Sequence, residues 1–263
     1  MKIATWNVNS LRVRLPQVLD WLEQNPIDVL CLQELKLAQD KFPIDELREA
    51  GWDAQWAGQP TYNGVALITK HEAKDIQRNL PTYEDPQQRA IAATFDTPAG
   101  PLRVINLYCP NGQAVGSDKF AYKLEWYQGL TTWLKTELER YPNLVVVGDY
   151  NIAPADEDVH DPARWEGEVH VSEPERTAFQ ALLALGLHDS FRLFPQEEKS
   201  YSWWDYRRMA YRRNAGLRID HILVSDAVKP ATVACTIDRQ PRGNEQPSDH
   251  TPVIVELDFS KIA

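Results

Sequence analysis

The 263-residue chain is poor in cysteine, and that excludes several kinds of protein at once. Its three cysteines, Cys31, Cys109 and Cys235, are odd in number and widely spaced, so they form neither a disulfide framework nor a zinc pattern. Cys31 and Cys109 lie in apolar runs, where a buried free thiol is the default, and a reducing compartment fits. No apolar run approaches the roughly 18 residues that a membrane span needs. The N-terminal MKIATWNVN is too polar for a signal peptide, so the expectation is a cytoplasmic protein with no membrane partner. No Ser/Gly/Pro-rich linker and no repeat divides the chain, which points to a single domain over residues 1–263. Net positive charge is lacking too: the formal charge is −10, which argues against a protein that coats nucleic acid nonspecifically. An enzyme with a local basic patch and a carboxylate-rich metal site stays open.

What is present is ordinary in bulk, with 43% apolar and 25% charged residues, except for nine tryptophans. Most of those fill a core, and some are available for stacking. Short apolar runs alternate with amphipathic stretches. Strands are predicted at Ile3–Trp6, Val29–Gln33, Gly64–Thr69, Ile91–Phe95, Arg103–Tyr108, Leu144–Gly148, Arg218–Val224 and Val253–Leu257. One helix is predicted to start near Leu15 with Pro16 in its first turn. A longer one follows Ser117, with a stripe of Phe120, Leu124, Tyr127, Leu134 and Leu138. A third opens on Ser172 and Glu175, the spacing of a capping box. Adjacent strands with helical crossovers indicate α/β or α+β layers.

The polar residues cluster at strand ends. Asn7 and Asn9 follow the first strand, Glu34 the second; Tyr108 closes one strand, and Asp149 and Asn151 follow another. Asp220 lies in the seventh, and Asp249 and His250 precede the last. Any one of these alone is a turn former or a helix cap. Together they supply a metal and a base at one rim of a sheet, where sites are usually built. Magnesium prefers oxygen ligands, often one or two carboxylates, so Glu34 and Asp249 suit it, with Asn7 as a neutral ligand. Asp149, with Asn151 two residues on, can activate a water for attack on phosphorus. Protonated His250, oriented by Asp220, and Tyr108 can stabilise the charge that accumulates on the phosphate. Zinc is disfavoured by the absence of a cysteine cluster and of HExxH.

Seven segments resemble the exonuclease III family of AP endonucleases, within the wider endonuclease/exonuclease/phosphatase superfamily. They are TWNVNSLR (Thr5–Arg12), LQELK (Leu32–Lys36), YNGVALITK (Tyr62–Lys70), NLYCPNG (Asn106–Gly112), GDYNIAP (Gly148–Pro154), LRIDHILVS (Leu217–Ser225) and SDHTPV (Ser248–Val253). They occur in the family's order and spacing over nearly the whole chain. The resemblance implies a four-layer α/β sandwich, two mixed β-sheets face to face and flanked by helices. It implies a magnesium-dependent phosphodiesterase, manganese substituting, that cuts duplex DNA 5′ to abasic sites and processes 3′ ends, acting as a monomer. Asn7, Glu34, Asp149, Asn151, Asp249 and His250 form the expected metal set, and Tyr108, Asp149, Asn151, Asp220 and His250 the catalytic set. Both one and two metals, and Asp149 as base or as ligand, stay open for the family. Asn9 stands where some relatives carry Asp.

The family's pocket wall corresponds here to Trp203, Leu217 and Ile219, and some relatives have Trp in place of Leu217. Tyr206 to Arg213 is the most basic stretch of the chain, with Arg218 as a fifth arginine. Arg207 or Arg208 is expected to enter a groove of distorted DNA, and Lys36 and Asn63 to touch backbone phosphates. The acidic segment Glu157 to Glu168, with His160 and Trp165, reads as a substrate-shaping loop. Competing readings are a specialised 3′-end repair exonuclease with weak abasic-site cleavage, a lipid phosphodiesterase or RNA deadenylase of the same superfamily, and a catalytically dead binding protein.

Overall fold

Strands buried on both faces must be apolar along their whole length, and this is what the short apolar runs become. The computed structural model describes residues 1–263. Its main elements, in chain order, are β1 (Lys2–Asn7), α1 (Leu11–Gln24), β2 (Val29–Gln33), α2 (Ile44–Glu49), β3 (Asp53–Ala57), β4 (Val65–Thr69), β5 (Lys74–Arg78) and β6 (Ala90–Thr97). Then come β7 (Gly100–Tyr108), α3 (Asp118–Arg140), β8 (Leu144–Asp149), α4 (Pro162–Trp165), α5 (Glu173–Leu183), β9 (Leu187–Asp189), β10 (Asp220–Ser225), β11 (Thr232–Ile237) and β12 (Val253–Leu257). They build two six-stranded mixed sheets, in the orders β11-β12-β1-β2-β4-β3 and β5-β6-β7-β8-β10-β9.

The layers follow from alternation along each strand. In β8, Val145 and Val147 point into the cluster between the sheets, while Leu144 and Val146 point into the cluster under α3 and α5. In β2, Val29 and Cys31 face the other sheet, and Leu30 and Leu32 face α1. The result is helix, sheet, sheet, helix, as the family resemblance implied. Where β8 passes β7, a Cβ on Gly148 would lie 2.0 Å from the Leu107 carbonyl oxygen, so only glycine fits. A buried polar bridge joins the sheets just below their rim. Gln33 Nε2 donates to Asn106 Oδ1 at 2.8 Å, and Asn106 Nδ2 donates to the Leu32 and Ala66 carbonyls, each at 2.9 Å.

Two expectations need correction. The first helix starts at Leu11, a turn before the predicted start, so Pro16 lies inside it. The proline is tolerated because the carbonyl it frees, on Arg12, is at an exposed position where water can satisfy it. The Leu11 and Ser10 amides donate to the Leu35 and Glu34 carbonyls at 3.0 and 2.9 Å, which draws the helix start towards Glu34. Arg218 is the second correction. It precedes β10 rather than opening it, and its guanidinium is buried against Asp158 and Asp189, each at 2.7 Å. A guanidinium whose donors are taken up in a buried two-carboxylate cradle is not a surface contact for DNA.

Strand register sets the rim. β7 runs parallel to β8 and pairs Tyr108 with Asp149; β10 runs antiparallel to β8 and pairs Asp220 with Asp149. In the other sheet β1 and β2 are parallel and end together at Asn7 and Gln33, and antiparallel β12 enters from that same end. No helix is long and apolar enough to cross a membrane.

Candidate active site

Asn7 bridges the two sheets at the rim. Its Nδ2 donates to Glu34 Oε1 at 2.7 Å and to Asp149 Oδ2 at 2.9 Å. Asp149 Oδ1 accepts from the Asn151 amide at 3.0 Å, an Asx-type turn that puts Asn151 at φ 52°. Asn151 Nδ2 is committed to the Cys109 carbonyl at 2.9 Å. His250 Nε2 lies 3.6 Å from Asp149 Oδ2, and its Nδ1 donates to Asp220 Oδ2 at 2.8 Å. Ser202 Oγ in turn donates to Asp220 Oδ2 at 2.7 Å. The site is therefore a chain from Asp220 through His250 to Asp149, with Glu34 across the Asn7 amide.

Burial and charge set the protonation states. Burial pushes the Asp149 carboxyl up to about 7; nearby His250 opposes this, and the Asp220 and Glu34 charges reinforce it. For His250, burial works against the charged ring, but Asp220 and Asp149 outweigh it and hold the imidazole well above its usual value. The Tyr108 phenol is driven well above 10 by burial, then by Glu34 and Asp149, so it stays a neutral donor. The Arg89 guanidinium sits over the Tyr108 ring at 5.1 Å, and its Nε donates to the Tyr122 hydroxyl.

The donor set fits a divalent cation. Ligating atoms of Glu34, Asp149 and His250 lie within 4.8 Å of one another. Two carboxylates on one amide nitrogen, one of them buried and raised to about 7, leave negative charge that a hard oxygen-seeking ion would compensate. A protonated His250 with Nδ1 tied to Asp220 offers an N–H donor rather than a lone pair. Asp249 does not join this cluster. Its Oδ2 accepts from Trp203 Nε1 at 3.0 Å, and its Oδ1 from Asn9 Nδ2 at 3.3 Å. Asn151 presents its backbone to Asp149, and its side-chain amide points to Cys109.

The expected DNA contacts divide. Lys36 Nζ reaches Asn9 Oδ1 at 2.6 Å and stands 3.5 Å from Glu34 Oε2, beside the cluster. Asn63 is buried, its Nδ2 taken by Gln59 and Gln87. Arg207 and Arg208 are exposed on the loop after Trp204. Trp203 is half-buried, whereas Leu217 and Ile219 are packed with Ala153, Val159 and Val171 under Trp165 and Trp203.

Sequence reasoning passed over the support beneath the rim. Lys123 is fully buried and donates to the Asn151 carbonyl at 2.6 Å, the Asn111 carbonyl at 3.0 Å and Glu175 Oε1 at 2.5 Å. A Cβ on Gly112 would sit 2.9 Å from Lys123 Cδ, which explains the glycine after Asn111. The only hint in the sequence was a lysine on the apolar stripe of the second long helix.

Buried histidines tie the site to pH. Burial depresses His221 to about 4, Arg218 adding to it, and depresses His170 to about 3, Lys123 adding to it. Both rings hydrogen-bond backbone carbonyls at 2.7 Å, of Ile152 and Asn151. Folded, they are neutral where the unfolded chain binds protons, so stability is full above about pH 6.5 and is lost as pH falls towards 4. Asp149 works the other way, because it binds its proton more readily folded. His250, also raised in the fold, acts in the same sense as Asp149, so the two pairs largely offset each other between pH 7 and 5. In the metal-free protein His221→Asn is therefore expected to gain stability relative to the parent as pH falls through this window, by up to about 1.4 kcal/mol per pH unit. Urea unfolding at the two pH values checks this; an unchanged slope in the variant would refute it.

Comparison with known proteins agrees with this geometry. A family model described as the Endonuclease/Exonuclease/phosphatase family matches residues 4–250. Exodeoxyribonuclease III of Haemophilus influenzae is 39% identical over 98% of this chain and 100% of its own. Among solved structures, a Neisseria 3′ phosphatase, NExo, bound to a product DNA hairpin superposes with a TM-score of 0.95 at 50% identity, covering 98% of this chain and 99% of that one. An AP endonuclease from Archaeoglobus fulgidus gives a TM-score of 0.92 at 36% identity, with 98% and 99% covered.

Proposed function

The chain belongs to the endonuclease/exonuclease/phosphatase family, and we propose that it is a DNA repair hydrolase cutting the backbone 5′ to abasic sites and trimming 3′ ends and 3′-blocking phosphates. The observation that carries this is the chain Asp220–His250–Asp149 facing Glu34 across Asn7. Glu34 and Asp149, with Asn7 beside them, would hold a magnesium ion, which when bound would supply positive charge to a phosphate oxygen. Asn7 presents its oxygen only if the amide turns over, giving up the bond from the Asn9 amide at 3.0 Å. Asp149 takes the proton of the attacking water, and the Asn151 amide fixes its carboxylate. His250 Nε2–H and the Tyr108 hydroxyl donate to the phosphoryl oxygens as charge builds, and Asp220 keeps His250 protonated. The P–O3′ bond breaks, the leaving 3′-oxygen takes a proton from solvent, and the nicked strand is left with a 3′-hydroxyl on one fragment and a 5′-phosphate on the other. Lys36 and the exposed Arg207 and Arg208 hold flanking phosphates. The protein acts as a monomer.

A specialised 3′-end enzyme is the second reading. It is favoured by Leu217 and Ile219, which are 0% and 2% exposed and so packed rather than lining an open sugar pocket, and by the name of the Neisseria relative. Side-by-side rates on an abasic duplex, a 3′-phosphate nick and an undamaged 3′ end decide between them. We expect magnesium-dependent cleavage of all three, abolished by EDTA. No nicking of the abasic duplex by folded protein at any metal concentration would leave only the 3′-end reading.

A further inference from the structure

Between α4 and the loop of residues 205–215 lies a hollow of about 370 Å³, walled by Arg164, Arg207, Arg208 and Arg213 with Trp165 and Trp203. Four arginines line it against one carboxylate, Asp205, in a chain of net charge −10. Arg207 is matched to Asp205 at 2.8 Å, while Arg164, Arg208 and Arg213 make no ion pair. Three unmatched cations around one concavity repel one another and favour an anion. The loop is held to this shape by two consecutive residues in left-handed backbone, Arg208 at φ 56° and Met209 at φ 53°. The hollow is also flat-walled. Trp165 and Trp203 are each half-buried, leaving indole surface free, and His160 meets Trp165 edge-on at 6.4 Å. A phosphate alone needs no indoles, and a bare apolar ligand needs no arginines; a nucleotide uses both.

The hollow adjoins the reaction centre. Trp203 donates to Asp249 through Nε1, and its backbone bridges to His250. It lies on the far side of Trp165 and Trp203 from the packed cluster of Leu217 and Ile219, which those two side chains cover. We propose that it is a nucleotide subsite, which takes a nucleotide flanking the cleaved bond with its base on Trp165 and its phosphate on Arg164 and Arg213. The subsite rests on the nuclease reading for its biological ligand, but its binding can be measured without catalysis.

The test titrates dAMP and, separately, inorganic phosphate into the full chain in EDTA, following tryptophan fluorescence. Saturable quenching by dAMP is expected, with inorganic phosphate at least about tenfold weaker because it has no base to stack. Quenching should vanish in Trp165→Leu, and affinity should fall about tenfold or more in Arg164→Gln/Arg213→Gln. With duplex DNA the double variant should raise KM more than it lowers kcat, and lower the salt slope of binding by about two. Arg164 and Arg213 are exposed, so the double variant should fold, and leucine at the half-buried position 165 keeps an apolar cover on the Leu217 cluster. Equal affinity for phosphate and dAMP, or a double variant with unchanged dAMP affinity and salt slope, would overturn the subsite. A wild-type chain that binds dAMP but cleaves no DNA would instead count against the nuclease reading.

Discussion

Asp149→Asn is expected to lower kcat by about three orders of magnitude or more while duplex DNA stays bound. The substitution is nearly isosteric, and the backbone turn to Asn151 can keep an oxygen acceptor at 3.0 Å. What disappears is the base that takes the proton from water and one of the carboxylate charges that keep His250 protonated. Stability should move the opposite way. The folded carboxyl is raised to about 7, so above that pH the metal-free protein holds a buried anion that the unfolded chain would hold in water. Removing it should leave Tm at pH 8 no lower than in the parent, and higher in EDTA, a trade of stability for activity common at catalytic sites. Single-turnover cleavage with a parallel binding assay checks the first half, and thermal melts in EDTA check the second. Cleavage within tenfold of the parent would remove Asp149 from the role of base.

The legible part of the fold was its interior. The eight predicted strands are the inner strands of the two sheets, while β3, β5, β9 and β11, which sequence periodicity did not show, are the four edges. An inner strand has sheet partners on both sides and layers on both faces, so Val145 to Val147 must be apolar throughout. An edge strand such as Lys74–Arg78 is exposed or half-buried along its length and carries charges that discourage further pairing, so its sequence reads as loop. The site shows the same division. Asn7, Glu34, Asp149, Asp220 and His250 were legible because chemistry restricts their types and each stands beside an apolar strand. Their support was not: Asn106 looks like any strand residue until the second sheet brings Gln33 to it, and Ser202 until Asp220 arrives. Arg218 misled in the opposite sense, since a charged side chain near other arginines reads as surface, and only the fold shows Asp158 and Asp189 closing over it.

Lys123→Met should cost the most stability, roughly 3–5 kcal/mol, or a fall in Tm of about 6–20 °C for a chain of this size. Both side chains of the Lys123–Glu175 pair are 0% exposed, so removing the ammonium leaves a carboxylate with no counter-ion in the interior. Glu175 can relieve this by taking a proton, which would interrupt its acceptance from the His170 and Ser172 amides at 2.9 and 3.2 Å. Either way the three donors that hold the Asn111 carbonyl, the Asn151 carbonyl and the 170–175 segment together are gone. The Asp149 carboxylate depends on the amide of that same Asn151, so kcat should fall as well, with KM changing less. The double variant Lys123→Met/Glu175→Gln separates the two effects. Its melting temperature should recover part of the loss, because no unpaired charge is left buried, whereas kcat should stay low, because nothing replaces the grip on Asn151. A single variant that melts within about 1 kcal/mol of the parent would show that the pair contributes little. Recovery of kcat in the double variant would show that Lys123 acts on the site through stability alone, and not through the placement of Asn151.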